Sequence, residues 1–111
     1  MDIDPEALEW RELRTLFGAY LHQDLHEEHG SPQQAVQDFC RESTPAQLED
    51  AADQVHRLLE ITTDDASAEK ATDAFYLAYA PEHDGLTMRG WLTELERTLR
   101  TGATARRDEP T

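Results

Sequence analysis

The densest run of potential metal ligands and proton carriers is Tyr20-Leu21-His22-Gln23-Asp24-Leu25-His26-Glu27-Glu28-His29. His22 and His26 are four apart, so a continuing helix would put both imidazoles on one face. Asp24, Glu27 and His29 would add oxygen or nitrogen donors, a set that suits zinc or iron. The spacing departs from the HExxH arrangement, because Gln23 stands where the catalytic glutamate would be. His56 and His83 stand alone in the sequence and supply no second cluster. The preferred reading is that His22 and Asp24 tie the end of the first helix to a neighbour by hydrogen bonds. No metal and no other cofactor is expected.

Nucleophilic and acid–base chemistry find little support. Cys40 follows Phe39 on an apolar face, which predicts a buried, inert thiol. The five glycines are scattered singly, so no phosphate-cradling loop is present. Pairs such as Asp64-Asp65 and Glu27-Glu28 arise by chance when 24 of 111 residues are acidic. The chain is not expected to be an enzyme.

Those 24 acids face 10 basic residues, a formal net charge of −14. Like charges repel, which argues against direct binding to nucleic acid or to an anionic membrane and favours a basic partner. On a body of radius of gyration ~13 Å such a charge makes a strong negative field. That field raises association rates with basic proteins by ~10–1,000-fold at low salt. Composition alone does not separate this steering role from simple solubility. No apolar run approaches the ~20 residues of a membrane span. The opening MDIDPEALEW lacks the basic-then-apolar order of a signal peptide, and a lone cysteine suits a reducing compartment, so a cytoplasmic location is expected.

Helices must position these groups. Asp4-Pro5 predicts the first start, with Leu8, Leu13, Leu16, Phe17, Tyr20 and Leu21 largely on one face. Gly30 ends the segment that follows, and Ser31-Pro32 opens a second helix carrying Val36, Phe39 and Cys40. Thr44-Pro45 opens a third, with Leu48, Ala51, Ala52, Val55, Leu58 and Leu59 at helical spacing. Ser67 is the expected cap of a fourth helix bearing Ala71, Ala74, Phe75, Ala78 and Tyr79. Pro81 to Gly85 reads as a loop, and Thr87 caps a fifth helix carrying Met88, Trp91, Leu92, Leu95 and Leu99. Gly102 is expected to close it. Val and Ile together number four, poor material for a sheet. The expectation is an all-α fold, a compact bundle of about five short helices, as one domain over 1–101 with a flexible tail over 102–111.

Gly18 to Leu25 (GAYLHQDL), the helical middle, and Tyr79 to Leu95 (YAPEHDGLTMRGWLTEL) together resemble a family of small helical immunity proteins. These belong to bacterial contact-dependent growth inhibition systems. In that family an aromatic-Phe-His-Gln-Asp-Trp segment ends the first helix, and a Ser/Pro-initiated helix and a closing Thr-x-x-x-Trp-Leu helix follow. Here Tyr20-Leu21-His22-Gln23-Asp24-Leu25, Ser31-Pro32 and Thr87-Met88-Arg89-Gly90-Trp91-Leu92 stand in those places, with Leu21 and Leu25 replacing bulkier aromatics. The resemblance spans roughly Leu8 to Leu99. It implies a cytoplasmic, non-enzymatic protein that binds and blocks the C-terminal toxin domain delivered by neighbouring cells. Such toxins are often nucleases, whose sites are basic.

The leading expectation is therefore an inhibitor of a basic toxin domain, by one-to-one association. The expected contacts are Asp24, Glu27, Glu28, Glu82 and Asp84, pairing with toxin arginines or lysines. Tyr20 or Trp10 is the expected aromatic anchor; Trp10 is weighed first as a core residue. The rival readings are a metal-binding protein built on His22, His26 and His29, and an acidic mimic of nucleic acid. Replacing Glu27 and Glu28 by Gln should weaken toxin binding and flatten its salt dependence. Titrations at two ionic strengths test this, and an unchanged affinity and salt slope would remove both positions from the interface.

Overall fold

Two hydrogen-bonded turns bring the chain into its first helix. The Ala7 N–H donates to the Asp4 carbonyl (3.0 Å) and the Trp10 N–H to the Ala7 carbonyl (3.0 Å). The 3-10 turn Leu8–Trp10 then leads into α1 (Arg11–Thr15), which continues over Leu16–Tyr20 with π-helical winding. The computed structural model describes residues 4, 7–21, 30–75, 77 and 79–108, with backbone alone at His83. Pro5, the expected first helical residue, lies outside this set. The regular helix starts at Arg11, and its open N-terminus takes an unusual partner: the Leu13 N–H donates to Gln54 Oε1 at 2.9 Å. A side chain from the third helix thereby satisfies one of the orphan donors of the first.

The next three starts follow the capping rules. Ser31 Oγ accepts from the Gln34 N–H (3.1 Å) and Pro32 opens α2 (Pro32–Glu42). Thr44 and Gln47 form a reciprocal capping box that opens α3 (Pro45–Ile61). Helix α4 (Asp65–Asp73) is capped by Asp64 rather than by Ser67. Ser67 sits three residues on and returns the bond, its Oγ accepting from the Asp64 N–H at 3.1 Å. The reason is geometric: an acceptor before the first turn reaches the free N–H groups, whereas one inside it reaches only backward.

Helix α4 is shorter than expected. It stops at Asp73, and Phe75 and Tyr79 lie beyond it instead of on its face. Each ring serves a different partner. Phe75 stands edge-on to Trp10 (5.6 Å between centroids) and to Phe17 (6.1 Å), while Tyr79 meets Trp91 at 5.2 Å. Ala78 lies outside the described residues. A 3-10 turn, Pro81–Asp84, replaces the expected loop, and Gly85, at φ 76°, ends it in the left-handed region.

Thr87 caps α5 (Met88–Arg107), its Oγ1 accepting from the Gly90 N–H at 3.0 Å. Gly102 does not close this helix; residues 103–107, assigned to a tail from the sequence, continue it. Ala103 is buried in the core, and a Cβ at position 102 would stand 3.1 Å from Cys40 Sγ. Gly102 therefore marks where α2 approaches α5 closely rather than where α5 ends.

The described residues thus form five α-helices and no strand, around one core. Helices α3 and α5 make the most extensive pair. Two arginines fasten α5 at both ends. Arg89 Nη1 donates to the carbonyls of Leu59 (3.0 Å) and Thr62 (2.8 Å), with Thr62 Oγ1 at 2.9 Å, at the C-terminus of α3. Arg106 Nη1 lies 2.7, 2.8 and 2.6 Å from the carbonyl oxygens of Cys40, Arg41 and Ser43, at the C-terminus of α2. These are the carbonyls a helix end leaves without partners. Arg106→Met should cost about 1–3 kcal/mol by orphaning them, lowering the melting temperature by roughly 4–13 °C. Arg97→Met, which removes only an exposed pair, should cost well under ~1 kcal/mol. Thermal denaturation of the two variants compares them directly.

Candidate partner-binding surface

Two of the expected contact acids, Glu82 and Asp84, are exposed on the single 3-10 turn between α4 and α5. The turn is held shut by the Gly85 N–H on the Glu82 carbonyl and the Leu86 N–H on the Pro81 carbonyl, each at 3.1 Å. It is also tied inward, because the Tyr79 hydroxyl donates to Asp84 Oδ2 at 2.5 Å. Burial, followed by the hydrogen bond and charge of Asp84, pushes the Tyr79 phenol up to about 12. The Tyr79 ring leans on Trp91, so the acidic turn connects through one aromatic to the core.

Beside this turn runs a groove of ≈ 200 Å³ between the first half of α2 and the first half of α5. Val36, Leu86, Trp91 and Leu95 supply its apolar walls and Glu94 part of its rim. Leu86 is 39% exposed, one of two large apolar side chains open to solvent among the described residues. It directly precedes the Thr87 cap, and Trp91 is the fourth residue of the helix. This is the spacing of a hydrophobic staple, a signal legible in the sequence.

The other expected contacts are not gathered here. Tyr20 is half-buried, edge-on to Phe39 at 5.3 Å, against the second half of α2. Burial and then its hydrogen bond to Glu42 raise its phenol above the usual range. Trp10 is 2% exposed, lodged against Phe75 with the Arg57 guanidinium 5.8 Å over its ring. Its indole thus works inside the core and offers no open face to an incoming protein. Asp24, Glu27 and Glu28 lie outside the described residues, as do His22, His26 and His29. Among the described residues, no three His, Cys, Asp or Glu side chains gather as they would around a metal ion. Cys40 is half-buried, and burial pushes its thiol up despite nearby Arg106.

Charge is distributed unevenly. Between α3 and α5 several acids meet arginines: Glu49 pairs with Arg107, and Arg100 bridges Asp53 (3.1 Å) and Glu96 (2.9 Å). His56 stands between Glu60 (3.3 Å) and Glu96 (3.2 Å). From residue 62 to 88, by contrast, Lys70 is the only Lys or Arg, against six acids. Residues 15–40 carry four acids and no Lys or Arg. The segments on either side of the groove are thus poor in basic residues along the sequence, although Asp38 is paired with Arg41.

The sequence pattern that defines the CdiI immunity protein family matches residues 9–99, most of the chain. The chain belongs to this family. No curated protein and no solved structure matches it. The match takes in α1 to α4, the acidic turn and the groove-forming half of α5, but not Arg106. Membership in the CdiI immunity family implies a role in neutralising a cognate toxin. No helix among the described residues is long and apolar enough to cross a membrane.

The Tyr79–Asp84 bond has a defined pH signature. The folded state holds this phenolic proton above its unfolded value of ~10. The stability it contributes is therefore present below pH ~10 and is lost as the pH rises toward about 12. Asp84→Asn should lower the titration midpoint followed at 295 nm, with Tyr79→Phe assigning the signal. An unmoved midpoint would mean that burial alone sets it.

Proposed function

We propose that this protein neutralises one basic toxin domain of a contact-dependent growth inhibition system by tight one-to-one association in the cytoplasm. The toxin is best read as a nuclease, since a nuclease carries a basic site that an acidic inhibitor is suited to cover. Family membership supports the toxin-neutralising role. The observation that carries the finer reading is the uneven charge: −14 overall, with Glu49, Asp53 and Glu96 of α3 and α5 paired to arginines and one lysine against six acids over residues 62–88. A strongly negative field steers a basic partner and speeds encounter.

Glu82 and Asp84 are the proposed contacts within the described residues, joined by Asp24, Glu27 and Glu28. Tyr20 is proposed to add a half-exposed ring, and Trp10 to act only by holding the core behind the surface. Titration of the toxin domain encoded beside this protein, at low and moderate salt, tests the reading. Nanomolar, salt-sensitive, one-to-one binding is expected. Glu82→Gln with Asp84→Asn should weaken it and flatten the salt slope, while Asp53→Asn between α3 and α5 should leave it unchanged. Absence of binding at both salt concentrations would overturn the proposal.

A further inference from the structure

The groove beside the acidic turn has features that a solubilising surface does not need. Its walls are apolar side chains from two helices, Val36 from α2 and Trp91 and Leu95 from α5, with Leu86 at its mouth. Val36 and Trp91 are 7% and 8% exposed, so each shows only an edge, whereas Leu86 is 39% exposed. At ≈ 200 Å³ it falls below the ~300–1,000 Å³ typical of small-molecule sites. That volume suits one side chain of a protein partner better than a metabolite.

The rim defines the chemistry of that partner. Glu94 lines the groove, and Asp84 is joined to its Trp91 wall through Tyr79. None of the lining residues is a lysine or arginine. Arg89, which precedes Trp91 by two positions, is turned away onto the carbonyls of Leu59 and Thr62. Arg97 lies against Glu94 at 3.4 Å, an exposed pair that a competing guanidinium displaces at little cost. A lining that is apolar at Val36, Leu86, Trp91 and Leu95, polar at Gln33, Gln37 and Thr98, and acidic at Glu94 is complementary to an apolar side chain flanked by arginine or lysine. Buried apolar anchors ringed by polar contacts are also the usual source of affinity in such interfaces.

From this we infer that the toxin domain docks by inserting one large apolar side chain, carried on a basic segment, into the groove between α2 and α5. The inference rests on the toxin-binding reading above and adds the place and the chemistry of the contact. The apolar anchor sets the lifetime of the complex and the surrounding acids its rate of formation.

The test uses the full-length protein and its cognate toxin domain, with melting curves confirming that each variant is folded. Leu86→Ala opens the mouth of the groove, and Gln37→Phe, from an exposed position on its α2 wall, fills it. Each should weaken binding at least tenfold, through faster dissociation and equally at low and high salt. Glu82→Gln with Asp84→Asn should instead slow association, most at low salt. Wild-type binding with both groove variants unaffected would overturn this inference and leave the toxin-binding reading standing. No wild-type binding would overturn both. A free-protein dimer that Leu86→Ala dissociates would assign the groove to a second copy and equally overturn it.

Discussion

The bundle depends on what happens to the carbonyl groups at two helix ends. Helices α2 and α3 both finish without a glycine cap, at Ser43 and Thr62, in extended backbone. Their last carbonyls point toward α5, and Arg89 and Arg106, near opposite ends of that helix, reach across to meet them. A guanidinium suits the task because its donors are fixed in a plane and it stays charged when partly buried. Once both contacts form, α5 is located along its length relative to α2 and α3. The alignment of Leu92, Leu95 and Leu99 with the rest of the core follows from it.

That fastening has an electrostatic consequence. Two of the ten basic residues are engaged by backbone carbonyls, and others are paired between α3 and α5. Few cations remain to offset the 24 acids, and those acids repel one another. Asp64 and Asp65 show how the fold tolerates this: one caps α4, its carboxyl held below the usual range by the Ser67 N–H, and the other accepts from the Arg89 N–H at 3.1 Å. Carboxylates placed at helix N-termini face partial positive charge. Glu82 and Asp84 have no such helix end to serve, and their turn is where negative charge is presented outward.

A row of aromatic rings connects the core to that turn. Trp10, Phe75, Phe17, Trp91 and Tyr79 succeed one another at centroid spacings of 5.6, 6.1, 6.0 and 5.2 Å, and the last of them bonds Asp84. A turn closed by two backbone hydrogen bonds and tied to Tyr79 through Asp84 presents that carboxylate with less ordering cost on binding, which is how preorganisation raises affinity. The departure of Phe75 and Tyr79 from α4 makes sense in this light: a continuous helix would have aimed both rings to one side.

The sequence alone determined the helical class, the starts at Ser31, Thr44 and Thr87, and most of the core, because caps and helical spacing are local chemistry. The staple spacing of Leu86 and Trp91 about the Thr87 cap is equally local. Tertiary structure decided the rest. Whether Gly102 ends a helix depended on a close approach by Cys40, more than sixty residues away in the chain. Whether Trp10 met solvent depended on Phe75 and Arg57. The roles of Arg89 and Arg106 were invisible for the same reason: an arginine in a sequence of acids reads as a surface charge until its distant carbonyl partners are known. Local patterns report which backbone groups need partners within one turn, but a pairing between helices exists only after the chain has folded back on itself.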